Sequence, residues 1–206
     1  MIDLQKQYAS LKIELNNAIQ QCIDNAVFIG GKFVSNFEKN LSEYIGIQHT
    51  IGCGNGTDAL QIALMALNLP KGSKIIVPAF TYIAPVEVIK FLDFEVVFAD
   101  VDINTYNITL ENIQAVYTND VKAIIVVHLF GQICDIDKIY AFTQKNNIYL
   151  IEDNAQALGA EKHITRNTIM TTSFYPTKNL GAYGDGGASP YDGRYREVHG
   201  RLEEGI

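Results

Sequence analysis

Val121-Lys122-Ala123-Ile124-Ile125-Val126-Val127-His128 reads as one continuous apolar strand. A strand with one wet face alternates polar and apolar residues. An uninterrupted β-branched run belongs instead to a strand covered on both faces, the environment of a parallel sheet between layers of helices. The sequence on either side repeats the pattern. His49–Gly52, Lys74–Val77, Glu95–Ala99 and Ile148–Glu152 read as further strands. Apolar residues at helical spacing predict helices from Thr57 to about Leu67, over Ala84–Phe91, over Leu110–Val116 and over Asp135–Lys145. Met170–Phe174 and Gly187–Ser189 are shorter strand candidates. The chain is therefore read as α/β.

Ahead of this alternation, residues 4–24 carry Leu4, Tyr8, Leu11, Leu15, Ile19 and Ile23 at helical spacing, an amphipathic helix that Gly30-Gly31 ends. A second helix is expected from about Ser35 to Tyr44. The end of the chain has another character. Apolar periodicity stops after Ala188, every lysine lies at or before Lys178, and Arg194, Arg196 and Arg201 crowd into the last residues. The reading divides the chain into an N-terminal helical segment (1–35), a ligand-binding domain (36–188) and an atypical, exposed tail (189–206), disordered or foreign to the rest. Glu161–Thr172 is similarly patternless.

With 206 residues the chain can bury a real core. Its net charge of −7 and the absence of a Lys/Arg cluster argue against nucleic acid as a partner. A small phosphate needs no basic patch, because a few backbone amides suffice. Cys22, Cys53 and Cys134 are far apart and form no CxxC, which argues against a disulfide framework or a metal site and suits a reducing cytoplasm. The N-terminus shows no basic and apolar leader pattern and no apolar run is long enough to span a bilayer, so no membrane association is expected.

Four short motifs carry chemistry. Gly52-Cys53-Gly54-Asn55-Gly56-Thr57-Asp58-Ala59-Leu60 joins a strand to a helix. Glycines allow close backbone approach and the helix start offers free amides, an anion pocket suited to phosphate. The same residues match the GxGxxA dinucleotide fingerprint, but its acidic ribose ligand is missing where Ile75-Ile76-Val77 runs into Pro78. A tight turn with an N-cap explains them equally well. Ile151-Glu152-Asp153-Asn154-Ala155-Gln156 closes an apolar strand at the edge where open α/β sheets bind ligands. A carboxylate there needs a cationic partner, and a pyridinium nitrogen would serve; Gln156 could reach a phenolic oxygen beside it. Capping of the next element is the plainer explanation. Ser173-Phe174-Tyr175-Pro176-Thr177-Lys178-Asn179 leads into a glycine-rich bend, where Ser173 can bind phosphate while Lys178 reaches an aldehyde. Pro78-Ala79-Phe80-Thr81-Tyr82 sets aromatics just past a strand end, able to cover a flat ring.

In this order the motifs resemble the DegT/DnrJ/EryC1/StrS family of sugar aminotransferases of PLP fold type I, and His128-Leu129-Phe130-Gly131-Gln132 adds to the likeness. The resemblance covers residues 1–160 and 173–188. It implies a three-layer α/β/α sandwich on a mostly parallel seven-stranded sheet, the family's large domain, with the C-terminal small domain missing. It implies pyridoxal 5′-phosphate as cofactor. Lys178 would hold it as a Schiff base, Asp153 would pair with the ring nitrogen, Gln156 would meet the ring oxygen and Tyr82 would stack on the ring. Gly56, Thr57, Asp58 and Ser173 would hold the phosphate. Lys178 and Asp153 are the expected catalytic pair. The implied reaction converts a nucleotide-linked keto-deoxysugar to an amino sugar, with glutamate as donor, in a homodimer when full length. The relatives that come to hand are dTDP-3-keto-6-deoxyhexose 3-aminotransferases. The alternatives are a truncated, inactive PLP-binding fragment, a PLP sugar dehydratase (whose relatives carry histidine at the position of Lys178) and an NAD-binding Rossmann protein.

Overall fold

The computed structural model describes residues 2–160 and 168–192. The patternless stretch over 161–167 and the tail beyond 192 lie outside the described residues. In chain order the elements are α1 (Leu4–Asp24), α2 (Gly31–Ile45), β1 (His49–Cys53), α3 (Gly56–Ala66), β2 (Lys74–Pro78), α4 (Ala84–Phe91), β3 (Glu95–Ala99), α5 (Leu110–Val116), β4 (Val121–Val127), α6 (Ile136–Asn146), β5 (Tyr149–Asp153), β6 (Ile169–Ser173) and β7 (Gly187–Tyr191).

The strands form one sheet in the order β1-β7-β6-β5-β4-β2-β3. Strands β2 to β6 pair in parallel, and β7 runs antiparallel to both β6 and β1. The alternation inside β4 shows why its sequence has no polar face. Ala123 and Ile125 point into a core shared with α3 and α4, through Leu60, Leu64, Val88 and Ile89. Ile124 and Val126 point into a core shared with α5 and α6, through Ile113, Ile136 and Ile139. Both faces are dry, as a three-layer sandwich requires. A third cluster packs Leu41 and Ile45 of α2 against Leu158, Met170, Phe174 and Ala188.

Two boundaries differ from the sequence reading. The division at residue 35 falls inside α2, which starts at Gly31 and packs on the sheet through Leu41 and Ile45. The division at 188 falls inside β7, which continues through Ser189 and Pro190 to a fully buried Tyr191. Gly-Ala-Ser-Pro-Tyr has no strand composition; the segment is a strand because β1 and β6 hold it from both sides. Helix α1 has the expected bounds, yet its apolar stripe buries no residue. Among the described residues, no helix is long and apolar enough to cross a membrane.

Candidate active site

The parallel strands end together at one edge of the sheet. Val127 of β4 is in register with Asp153 of β5, and Asp153 with Thr171 of β6. Ser173 at the end of β6 and Cys53 at the end of β1 are both in register with Gly187 of β7. That shared partner brings the α3 turn to the cleft. A Cβ on Gly187 would lie 2.2 Å from the Asn55 carbonyl oxygen, so only glycine lets the turn cross the end of β7. Beyond it, Gly56 rests against Ser173.

The result is a cleft of about 650 Å³. Gly56, Thr57, Asp58, Tyr82, Asp153, Gln156, Ser173 and Lys178 all line it, so motifs separated by more than a hundred residues meet in one place. Asn55, Thr81, Tyr175, Thr177 and Asp185 line it too, and sequence reading passed over them. Asn55 carried a signal, since it is a favoured N-cap residue. Thr81 and Asp185 carried none, because the fold alone brings them there.

The α3 turn is arranged differently from the simple expectation of free amides at Thr57 and Asp58. Asn55 Oδ1 accepts the Asp58 N–H at 2.9 Å, and Asn55 Nδ2 donates to Asp58 Oδ2 at 3.0 Å. The Ala59 N–H goes to the Asn55 carbonyl. Among the described residues, the amides of Gly56 and Thr57 are the ones left at this helix end without an acceptor. Asp58 thus locks the turn, while Gly56, Thr57 and the Ser173 hydroxyl face the anion position. Ser173 Oγ accepts the Tyr175 N–H at 3.3 Å, which leaves its own proton to donate.

Asp153 is 7% exposed. Burial pushes its carboxyl pKa above the ordinary range; the Ala155 N–H, at 3.0 Å from Oδ1, and the positive charge of Lys178 oppose the rise. Among the described residues, no cation lies within ion-pair distance of Asp153 and no carboxylate within ion-pair distance of Lys178. Behind Asp153, on the same strand, Glu152 is fully buried with Oε2 3.0 Å from His128 Nε2. The Cys134 N–H donates to His128 Nδ1, so Nε2 carries the proton and donates to Glu152. Gln156 Oε1 accepts the Phe130 N–H at 2.8 Å. Tyr82 stands at the rim, 70% exposed. The Lys178 loop is closed by Lys178 N–H to Tyr175 O and Ala182 N–H to Phe174 O.

Residues 9–192 match the DegT/DnrJ/EryC1/StrS aminotransferase family. The chain belongs to that family. It is 41% identical over 191 residues to the UDP-2-acetamido-2-deoxy-3-oxo-D-glucuronate aminotransferase of Pseudomonas aeruginosa, covering 91% of this chain and 53% of the relative. To the dTDP-3-amino-3,6-dideoxy-alpha-D-galactopyranose transaminase of Aneurinibacillus thermoaerophilus it is 39% identical, covering 89% of this chain and 47% of the relative. Among solved structures, NtdA of Bacillus subtilis, with bound cofactor PMP, superposes with a TM-score of 0.88 at 28% identity, over 94% of this chain and 44% of that one. The chain spans about half the length of the curated relatives it matches. The fold is that of the family's PLP fold type I members.

The cleft fits pyridoxal phosphate. A phosphate would meet the Gly56 and Thr57 amides and the Ser173 hydroxyl, a ring nitrogen would meet a buried carboxyl that lacks a cation, and a ring oxygen would meet a side-chain amide. Thr81 Oγ1 is a further fit point, a buried hydroxyl on the cleft wall with no hydrogen-bond partner.

Proposed function

We propose that this chain is the cofactor-binding portion of a pyridoxal-phosphate aminotransferase acting on a nucleotide-linked keto sugar, with an amino acid, glutamate, as donor. One observation carries the reading: the eight residues named from separate motifs line a single cleft that holds a desolvated carboxyl together with a lysine and two helix amides that have no ion partner or acceptor among the described residues. Bound pyridoxal phosphate supplies an aldehyde that takes up an amino group and a ring that accepts electrons from the adjacent carbon. The protein's part is to place and charge that ring. Gly56, Thr57 and Ser173 anchor the phosphate, Tyr82 covers a ring face, and Gln156 donates to the ring oxygen. Asp153 holds a proton on the ring nitrogen, which stabilises its own buried charge in return. Lys178 Nζ would hold the cofactor's aldehyde and would be the base that moves the substrate's α-proton.

The aminotransferases named above carry UDP- and dTDP-linked sugars in their names, which supports a nucleotide-linked sugar as the substrate class. We assign the protein to the cytoplasm, where the free thiols of Cys22, Cys53 and Cys134 persist, and to a homodimer when it has its relatives' full length. Lys178 in the cleft weighs against the dehydratase reading, and the missing acidic ribose ligand after β2 weighs against NAD.

The test is covalent trapping. Borohydride reduction of the chain mixed with pyridoxal phosphate should fix a pyridoxyl group on Lys178, found by peptide mass mapping. Equal labelling across many lysines, or labelling undiminished by Lys178→Ala, defeats the reading.

A further inference from the structure

Gln156 can serve as a donor in the cleft only if its amide is held one way round, and the structure shows what holds it. Of the two ends of the Gln156 amide only the oxygen can accept the Phe130 N–H, so Oε1 is committed at 2.8 Å and Nε2 is the end left for the cleft. Nε2 has no partner among the described residues. The Phe130 N–H is itself aimed by an unfavourable backbone. Phe130 sits at φ 57° in the short turn Leu129–Gly131, a conformation that costs a bulky residue energy and persists only where the surroundings impose it.

The imposing group is Asn107, from the loop between β3 and α5. It is 3% exposed. Its Nδ2 donates to the Gln132 carbonyl at 2.8 Å and its Oδ1 accepts the Leu129 N–H at 3.2 Å, so one side chain clamps both ends of the turn. Both partners are backbone groups of fixed polarity, which fixes the orientation of this amide as well. Asn107 is held in turn: its N–H goes to Thr105 Oγ1, which donates to Asp102 Oδ1, and the Asp102 N–H goes to the Asn107 carbonyl.

We propose that Asn107 is a positioning residue for Gln156, bracing the Leu129–Gly131 turn so that the Phe130 N–H holds Oε1 and Nε2 faces the cleft. What Nε2 meets there rests on the function proposed above; the bracing does not. The experiment therefore has two arms, both on the 206-residue chain. In the first, without cofactor, amide exchange of Phe130 and the Gln156 side-chain amide resonances are followed by NMR in wild type, Asn107→Ala and the same-sized Asn107→Asp. Phe130 exchange should rise on the order of tenfold in both variants, with Ile125 in the core of β4 unchanged, and the Gln156 resonances should move toward those of a free amide. In the second, pyridoxal phosphate is added and the pH midpoint of the visible absorbance is read. It should move in Asn107→Ala in the same direction as in Gln156→Ala, with no further shift in the double variant. Unchanged Phe130 exchange overturns the proposal. So does a wild-type absorbance midpoint in Asn107→Ala when Gln156→Ala moves it. If the wild-type chain takes up no pyridoxal phosphate while the exchange effect stands, the bracing is upheld and the cofactor reading falls.

Discussion

Gly56 and Ser173 approach so closely that a Cβ on Gly56 would lie 2.7 Å from the Ser173 Cβ and 3.2 Å from its Oγ. This contact joins the phosphate turn of α3 to the end of β6, two strands away in the sheet. Gly56→Ala should force one of them to move. We expect a loss of about 1–3 kcal/mol in stability, the usual cost of overpacking. Retention of pyridoxal phosphate should fall further than stability alone accounts for, because both displaced groups line the cleft where the proposed phosphate would sit. Ligand titration by absorbance, set beside a denaturant melt, separates the two effects. Unaltered retention would mean that this contact does not shape the anion position.

Asp153 gives a prediction whose sign depends on pH. Burial raises its carboxyl pKa above that of the unfolded chain. A group whose folded pKa is raised contributes stability below its unfolded pKa and loses it as pH rises through the folded one. Above its unfolded pKa, neutral pH included, the desolvated carboxyl therefore lowers the stability of the cofactor-free fold. Asp153→Asn keeps the oxygen that accepts the Ala155 N–H and removes the charge. We expect the cofactor-free variant to be more stable than wild type at pH 7–8, by about 1 kcal/mol, and the gap to close as pH falls. With cofactor the order should reverse in function: pyridoxal phosphate still binds, but proton transfer in a full-length background slows by several kcal/mol in barrier. Melting temperatures of both proteins between pH 4 and 8 check the first half. A gap that widens toward low pH would contradict it.

His128 and Glu152 form the buried pair behind Asp153, 3.0 Å apart and at most 1% exposed. Removing His128 deletes a hydrogen bond to a carboxyl inside a dry layer. His128→Ala should cost about 3 kcal/mol or more. Glu152→Gln should cost much less, since its carbonyl oxygen can still accept the Nε2 proton. Denaturant midpoints of the two variants test the asymmetry, and equal losses would show that the hydrogen bond is not what holds the pair.

The sequence disclosed the central strands because β2, β4 and β5 are dry on both faces over their apolar runs, and their charged residues Lys74, Lys122, Glu152 and Asp153 fall near the strand ends. The site was legible for the same local reason. Gly56 to Asp58, Asp153 with Gln156, and Ser173 with Lys178 each sit within one short motif at a strand end. Strand β7 was legible only as a short candidate over Gly187–Ser189: its continuation to Tyr191 depends on β1 and β6 flanking it, and Tyr191 stacks on His49 with ring centres 5.2 Å apart. Asn107 was hidden too, since its partners Leu129 and Gln132 lie more than twenty residues away. Periodicity carries no information about a contact of that kind.

Helix α1 separates what a sequence pattern encodes from what this chain uses. Its stripe of Leu4, Leu11, Ile19 and Ile23 is amphipathic, yet no residue of the helix is buried, and Ile13 is 76% exposed. Its ring contact with the body is Tyr8 edge-on to Tyr183, at 6.0 Å. A helix that buries nothing contributes little to the stability of what it flanks. Deleting residues 2–24 should therefore change the denaturation free energy by no more than about 0.5 kcal/mol. The loop carrying Tyr183 should exchange amides faster, while Ile125 and Ile151 should not change. Because the deletion removes exposed apolar surface, it should also reduce self-association, read by sedimentation velocity. Fusing a family-type C-terminal half should work in the opposite direction on the same helix, covering the stripe and making residues 4–24 matter to stability. A loss above about 2 kcal/mol from the deletion in the 206-residue chain would show that α1 already packs against the body.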